Sequence, residues 1–264
     1  MEFSPLRHEA LWGEEKWLVS AHPSSPSVIA RGAMAGRRLD EALGGFPLLI
    51  KEIDARDRLS VQVHPNEQTK LVTGGDAKTE MWCALDDGFV YAGLKDGVGP
   101  GDIESAVKDG RFEELMVRHD MKAGDVLFIP GGLVHAICEG TRVYEVQQSS
   151  DTTFRLYDWG RVGADGKPRT LHVAQALKAI DYTLGVPRLS NAASCEFFDF
   201  RQCTLSGDMA VSGKGFTVIY VFQGCVRAFG AQYNTGETFL VTEGGDFTIS
   251  GNDATVFITK GDKR

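Results

Sequence analysis

Apolar and polar residues alternate in short runs along most of this chain, and glycine or proline stops nearly every run. That pattern predicts strands with turns between them rather than long helices. Leu59, Val61 and Val63 alternate with Ser60, Gln62 and His64, so the three polar side chains share one face of a strand that ends at Pro65 and Asn66. Lys78 to Leu85 repeats the device, with Lys78, Glu80 and Trp82 on one face and Thr79, Met81, Cys83 and Leu85 on the other. Val126 to Ile129 is an apolar strand closed by Pro130. Gly131 and Gly132 then predict a hairpin corner before a second strand that carries His135 inward. Leu48 to Ile53 reads as a buried strand in which Glu52 is out of place, and Trp17 to Ser20 as a short strand.

Helical spacing is confined to three places. Arg38 to Leu43 is closed by Gly44 and Gly45, and Asp102 to Leu115 has Asp102 as N-cap with Ile103, Val107 and Phe112 inward. A helix capped by Thr170 places Val173, Leu177 and Ile180 on one face. A polar loop, Gly163 to Arg169, precedes it, and Leu184 to Ser194 reads as a linker. Beyond Cys195, short apolar runs at Phe216–Phe222, Thr238–Val241 and Thr255–Ile258 alternate with glycine turns and suggest a smaller β-sandwich or half-barrel. The expectation is a mainly β fold with a few helices. Residues 1–184 would form a metal-binding catalytic domain and residues 190–264 a C-terminal β domain without metal ligands, since no histidine follows His172.

Composition narrows the classes of function. With 42% hydrophobic and 24% charged residues over 264 positions, the chain can bury a substantial core. Its net charge of −8 argues against nucleic acid or an anionic membrane as partner. An anionic small molecule would need its own local cations. No apolar run approaches the roughly 20 residues of a membrane span. Met1 to Trp17 carries charges throughout and no apolar core, so no signal peptide is expected. The five cysteines are odd in number and never form C-x-x-C, which points to reduced thiols in the cytoplasm.

Gln62, His64, Glu80 and His135 offer two imidazoles, a carboxylate and an amide oxygen. Nitrogen and oxygen donors of this kind suit Zn²⁺ with room left for substrate, and iron or manganese would tolerate them. Each residue also has a plainer reading. His135 could be a satisfied core histidine, Gln62 and His64 part of a wet strand face, and Lys78 with Glu80 a surface pair. Cys138 points away from His135 on a strand and reads as core. His22 reads as an exposed loop histidine, His119 as lying in an exposed polar connection, and His172 as a packing or capping residue.

The run G-x5-P-x-G-x2-H at Gly124 to His135 resembles the second motif of the cupin superfamily, whose small jelly-roll barrels hold a metal on an inward histidine. The wider chain resembles type I mannose-6-phosphate isomerases (phosphomannose isomerases) of the short bacterial kind. Four stretches carry the likeness: WGEEKWLVSAHP from Trp12, IDARDRLSVQVHP at Ile53 to Pro65, K-T-E at Lys78 to Glu80, and EVQQSSDTTFR at Glu145 to Arg155. Together they span about residues 12 to 182. The resemblance implies a cupin barrel with a cupin-like C-terminal domain and one Zn²⁺ per chain on Gln62, His64, Glu80 and His135. It also implies a small phosphorylated sugar as substrate, with Ser60 and Lys78 near the phosphate. Mannose 6-phosphate and fructose 6-phosphate would interconvert through an enediol, and a monomer or weak homodimer is expected. Arg155 would stabilise the enediolate, while the base could be Glu145, a histidine or a zinc-bound water. The chain is short for the family, and Q-x-H replaces the usual cupin H-x-H, as it does in these isomerases. A non-catalytic sugar-phosphate-binding cupin, an iron oxygenase and an isomerase of another phosphosugar remain as alternatives.

Overall fold

A computed structural model describes residues 1–163 and 166–262. The chain forms two compact units, one of Met1–Leu6, Trp17–Ile50 and Ser190–Arg264, the other of Arg7–Lys16 and Lys51–Leu189. Much of the first fifty residues is therefore grouped with the C-terminal segment, although it precedes the expected linker.

Two sheets matter for the site. A six-stranded sheet runs in the order Val126–Ile129, Glu80–Ala84, Thr141–Gln148, Leu48–Ala55, Gly13–Val19, Leu6–Ala10. A five-stranded sheet runs Phe154–Tyr157, Val61–Val63, His135–Ile137, Gly88–Leu94, Met116–Met121. Trp82, Leu127, Ile129 and Val143 of the first pack with Val90, Ala92 and Ile137 of the second in one buried cluster. Val61, Val63, Ala136, Phe154 and Leu156 turn the other way, into a second cluster shared with Ile103, Ala106, Ala176 and Ala179 of two helices. Side chains alternate across a strand, so burying these apolar residues outward aims Gln62 and His135 inward. The expected alternation is realised at Val61–Val63, but Leu59 precedes the strand and packs in the first cluster rather than with Val61 and Val63.

Three expectations change. The Val126–Ile129 strand pairs with Glu80–Ala84, whereas His135–Ile137 pairs with Val61–Val63 and Gly88–Leu94. The Pro130–Val134 corner is therefore not a hairpin; it carries the chain from one sheet to the other. The third helix of the chain is Pro100–Asp109, starting earlier than expected because Asp102 is not its N-cap. Its carboxylate instead accepts from the N–H of Gly99 at 2.8 Å, and a 3₁₀ turn, Phe112–Leu115, follows separately. Thr170 caps nothing: the next helix is Val173–Ala179, with His172 at its N-cap position. Part of the expected polar loop, residues 164 and 165, lies outside the described residues.

In the other unit, Phe216–Gln223, Thr238–Val241 and Gly245–Gly261 belong to a nine-stranded sheet around Val211, Ile219, Val226, Phe239 and Val256. No helix among the described residues is long and apolar enough to cross a membrane.

Candidate active site

The site grows from the corner at Gly131 and Gly132. The Gly132 N–H donates to the carbonyl of His64 at 2.8 Å, and the Gly131 N–H donates to Thr79 Oγ1 at 3.2 Å. A Cβ on Gly131 would stand 2.5 Å from the Pro65 carbonyl oxygen, so only glycine lets the corner approach this closely. One turn therefore registers the segments carrying His64, Glu80 and His135 against each other.

Gln62 lies opposite His135 on one neighbouring strand and opposite Arg155 on the other. Directly opposed residues share a face, so Arg155, Gln62 and His135 form a row across the five-stranded sheet. Glu80, opposite Gln147 on the facing sheet, completes the cluster. His64, Glu80 and His135 are all buried, and their ligating atoms lie within 4.8 Å of one another.

The hydrogen bonds fix how the imidazoles present themselves. His64 Nδ1 donates to the Thr152 carbonyl at 2.7 Å and His135 Nδ1 to the Leu133 carbonyl at 2.9 Å. A carbonyl can only accept, so each ring turns a bare Nε2 inward. Those lone pairs face Glu80, with His64 Nε2 3.4 Å from Oε2 and His135 Nε2 3.3 Å from Oε1. Both Glu80 oxygens are buried; Oε2 is ion-paired with Lys78 Nζ at 2.7 Å, and Oε1 has no hydrogen-bond partner. Acceptors turned on acceptors in the interior, with the Lys78 ammonium compensating the carboxylate only on its Oε2 side, form a donor set that fits a divalent cation. Gln62 Nε2 stands 3.3 Å from His135 Nε2, and turning its amide would offer Oε1 instead.

Burial pushes both histidines towards the neutral, ligating form, with Lys78 adding to it. His64 is held well below its ordinary pKa, and His135 is pushed down to about 4.

Lys78 is buried beside this set, its Nζ 2.7 Å from Glu80 Oε2 and 3.2 Å from His64 Nε2. Ser60 Oγ reaches Gln62 Oε1 at 3.5 Å. Glu145 is buried on the strand beside that of Glu80. Its Oε1 accepts from Trp82 Nε1 at 3.0 Å, and its Oε2 has Lys51 Nζ at 3.4 Å but no hydrogen-bond donor. Burial raises the Glu145 pKa and Glu80 adds to the rise, while Lys51 and Lys78 oppose it.

Arg155 is half-buried. One Nη donates to the Thr170 carbonyl at 2.8 Å, while its Nε is buried without a hydrogen-bond partner. Burial and then Arg169 lower its pKa. Asp158 holds Arg169 at 2.7 Å and Arg161 at 3.3 Å, so a basic cluster lies beyond Arg155 in a chain that is acidic overall.

Cys138 is buried and hydrogen-bonded to the Ala136 carbonyl, as a core residue. His119 belongs to the Met116–Met121 strand rather than to an exposed connection, with Nε2 3.0 Å from the Ala92 carbonyl. His22 is half-buried in its loop, with Nδ1 2.7 Å from Ser24 Oγ.

Sequence reasoning missed Lys51, Glu15, Trp82 and Gln147 as site residues. A signal existed at Lys51 and Glu52, two charges inside an apolar strand. Glu15 with Lys51 and Lys16 with Glu52 are cross-strand ion pairs at 3.2 and 2.9 Å.

The chain matches no protein-family model. It is 32% identical to "Probable mannose-6-phosphate isomerase GmuF" of Bacillus subtilis strain 168, across 94% of this chain and 95% of that protein. It is 31% identical to mannose-6-phosphate isomerase ManA of the same strain over the same shares. The crystal structure of a mannose 6-phosphate isomerase from Bacillus subtilis superimposes with a TM-score of 0.84 at 26% identity, covering 98% of each chain.

Proposed function

The chain belongs to the mannose-6-phosphate isomerase family, and from that premise we propose that it interconverts mannose 6-phosphate and fructose 6-phosphate with one Zn²⁺ per chain on Gln62, His64, Glu80 and His135. The observation that carries this reading is the buried Glu80 carboxylate facing two bare imidazole nitrogens, with Glu145 on the strand beside it and Arg155 on the strand beside Gln62. Zinc would supply Lewis acidity to the sugar oxygens.

Isomerisation moves a proton between C1 and C2 through an enediol. Glu145 takes the base role, and Oε2 is the oxygen suited to it, because Oε1 is committed to Trp82 while Oε2 has no hydrogen-bond donor. Its raised pKa brings a carboxylate nearer the neutral range in which a base and its conjugate acid both serve. The Arg155 guanidinium, one strand from Gln62, stabilises the enediolate charge. Ser60 and Lys78 meet the phosphorylated sugar. The chemistry is assigned to the unit of Arg7–Lys16 and Lys51–Leu189, inside the expected catalytic stretch 1–184, and the C-terminal β stretch, residues 190–264, takes no part in it. Five free cysteines agree with a cytoplasmic setting.

The test is an isomerase assay on mannose 6-phosphate before and after dialysis against a chelator, with zinc returned at the end, run in parallel in deuterated water. Turnover should vanish with the metal and return with it, and deuterium should enter C1 or C2. A zinc-loaded protein without turnover would leave the sugar-binding reading or another phosphosugar in its place. Turnover without deuterium, even far past equilibrium, would remove the enediol.

A further inference from the structure

Trp82, Glu145, Lys51 and Glu15 lie on four strands that are neighbours in the six-stranded sheet, Glu80–Ala84, Thr141–Gln148, Leu48–Ala55 and Gly13–Val19. Each touches the next: Trp82 Nε1 to Glu145 Oε1 at 3.0 Å, Lys51 Nζ to Glu145 Oε2 at 3.4 Å, and Lys51 Nζ to Glu15 Oε2 at 3.2 Å. The result is a row of alternating charge that runs from the candidate base to a side chain with 20% exposure.

We propose that Lys51 is a positioning residue for the isomerase, its ammonium holding Oε2 of Glu145 in place, with Glu15 setting how much of its charge Glu145 feels. The proposal rests on the base role given to Glu145.

Three features support it. The Lys51–Glu145 contact is an ion pair without a hydrogen bond, so it attracts and orients Oε2 while leaving its lone pairs open. Lys51 is itself buried. Burial alone would discharge it, but Glu15, Glu145 and Glu80 outweigh that and raise its pKa, so a full positive charge stands beside the base. Removing one partner of a buried ion pair leaves the other uncompensated, so the row is sensitive to single substitutions. The charged or titratable groups acting on Glu145 are Lys51, Lys78, Glu80 and Glu15, and Glu145 in turn acts on His135. Among them Lys51 and Glu15 lie outside the donor set, so they can be varied with the metal in place.

The sign of each variant follows. Lys51→Met removes a positive charge, raises the Glu145 pKa and moves the acid limb of the kcat–pH profile to higher pH. Glu15→Gln removes a negative charge, lowers that pKa and moves the limb to lower pH. A merely structural ion pair would not move the limb in opposite directions. The experiment measures zinc content, kcat, KM and the kcat–pH profile for Lys51→Met, Lys51→Arg, Glu15→Gln, Glu145→Gln and the Lys51→Met/Glu145→Gln double variant of the zinc-loaded protein. Lys51→Met should keep its zinc and lose ~10²-fold in kcat with little change in KM, and Lys51→Arg should recover most of that. Adding Lys51→Met to Glu145→Gln should cost nothing further, because a residue acting through another loses its effect when that other is gone. If Lys51→Met fails to fold, the downward limb shift of Glu15→Gln and the activity of Lys51→Arg still decide the matter. An inactive Glu145→Gln beside unmoved limbs in the Lys51 and Glu15 variants overturns the proposal alone. A fully active Glu145→Gln overturns the base role, and the proposal falls with it.

Discussion

Gly131→Ala tests whether one close backbone approach registers the ligand segments. The added Cβ would lie 2.5 Å from the Pro65 carbonyl oxygen, 2.9 Å from Asn66 Cα and 3.0 Å from the Pro65 carbonyl carbon. All three are backbone atoms of the segment that follows His64, so no side chain can swing aside. An ordinary contact is about 3.5 Å, and relief therefore demands a shift of roughly 1 Å between that segment and the corner leading to His135. Overpacking of this kind costs about 1–3 kcal/mol. A displacement of ~1 Å at a catalytic constellation costs on the order of 10²-fold in rate. The expected outcome is a folded protein with lower thermal stability, reduced zinc occupancy and turnover down ~10²-fold with mannose 6-phosphate. Gly140→Ala is the control. Its φ of 76° strains any side chain, but a Cβ there meets nothing within 4 Å, so stability alone should fall. Unchanged zinc content and turnover in Gly131→Ala would refute the claim that this approach sets the site.

Two further outcomes follow from the geometry. Arg155→Lys keeps a cation but loses the planar five-donor guanidinium, so zinc should stay bound while turnover falls ~10²-fold or more, and wild-type turnover would place Arg155 outside the chemistry. In the chelated protein, burial holds His135 down to about 4, so between pH 6.5 and 4 the unfolded chain binds a proton that the folded one refuses. Stability is therefore full above pH 6.5 and falls as pH drops towards 4. At about 1.4 kcal/mol per pH unit, less the partial protonation at each end of the range, the loss is roughly 2.4 kcal/mol more than in a His135→Asn variant, measured by denaturant melts with EDTA at pH 7 and 4.5. Equal losses in the two proteins would contradict a neutral His135.

The inward face of residues 60–64 was legible because alternation has a period of two and apolar Val61 and Val63 need burial on the opposite side. The strand Val126–Ile129 and its stop at Pro130 were legible from composition alone. The nature of the corner was not. Pro-Gly-Gly announces a reversal, but whether the next strand pairs with the last or joins another sheet depends on partners far along the chain. Lys51 was hidden for the same reason. In sequence it is a charge inside an apolar run, and only the neighbouring strands supply the two carboxylates that explain it.

Charge around the donor set explains how an acidic chain could accept an anionic sugar. Glu15, Glu80 and Glu145 meet Lys51 and Lys78 in this interior, while His64 and His135 stay neutral, so the side chains sum to one negative charge. A divalent cation on the donor set turns that sum to one positive charge, and Arg155 on the adjoining strand adds another. In the proposed reading a bound cation would supply Lewis acidity towards the sugar oxygens and would make the site electropositive towards a phosphate that the chain as a whole, at −8, would repel. The basic cluster of Arg161 and Arg169 on Asp158 extends the same field beyond Arg155. Local charge, set by which strands stand side by side, outweighs net charge at this range because buried groups are screened far less than the exposed carboxylates that make the total negative.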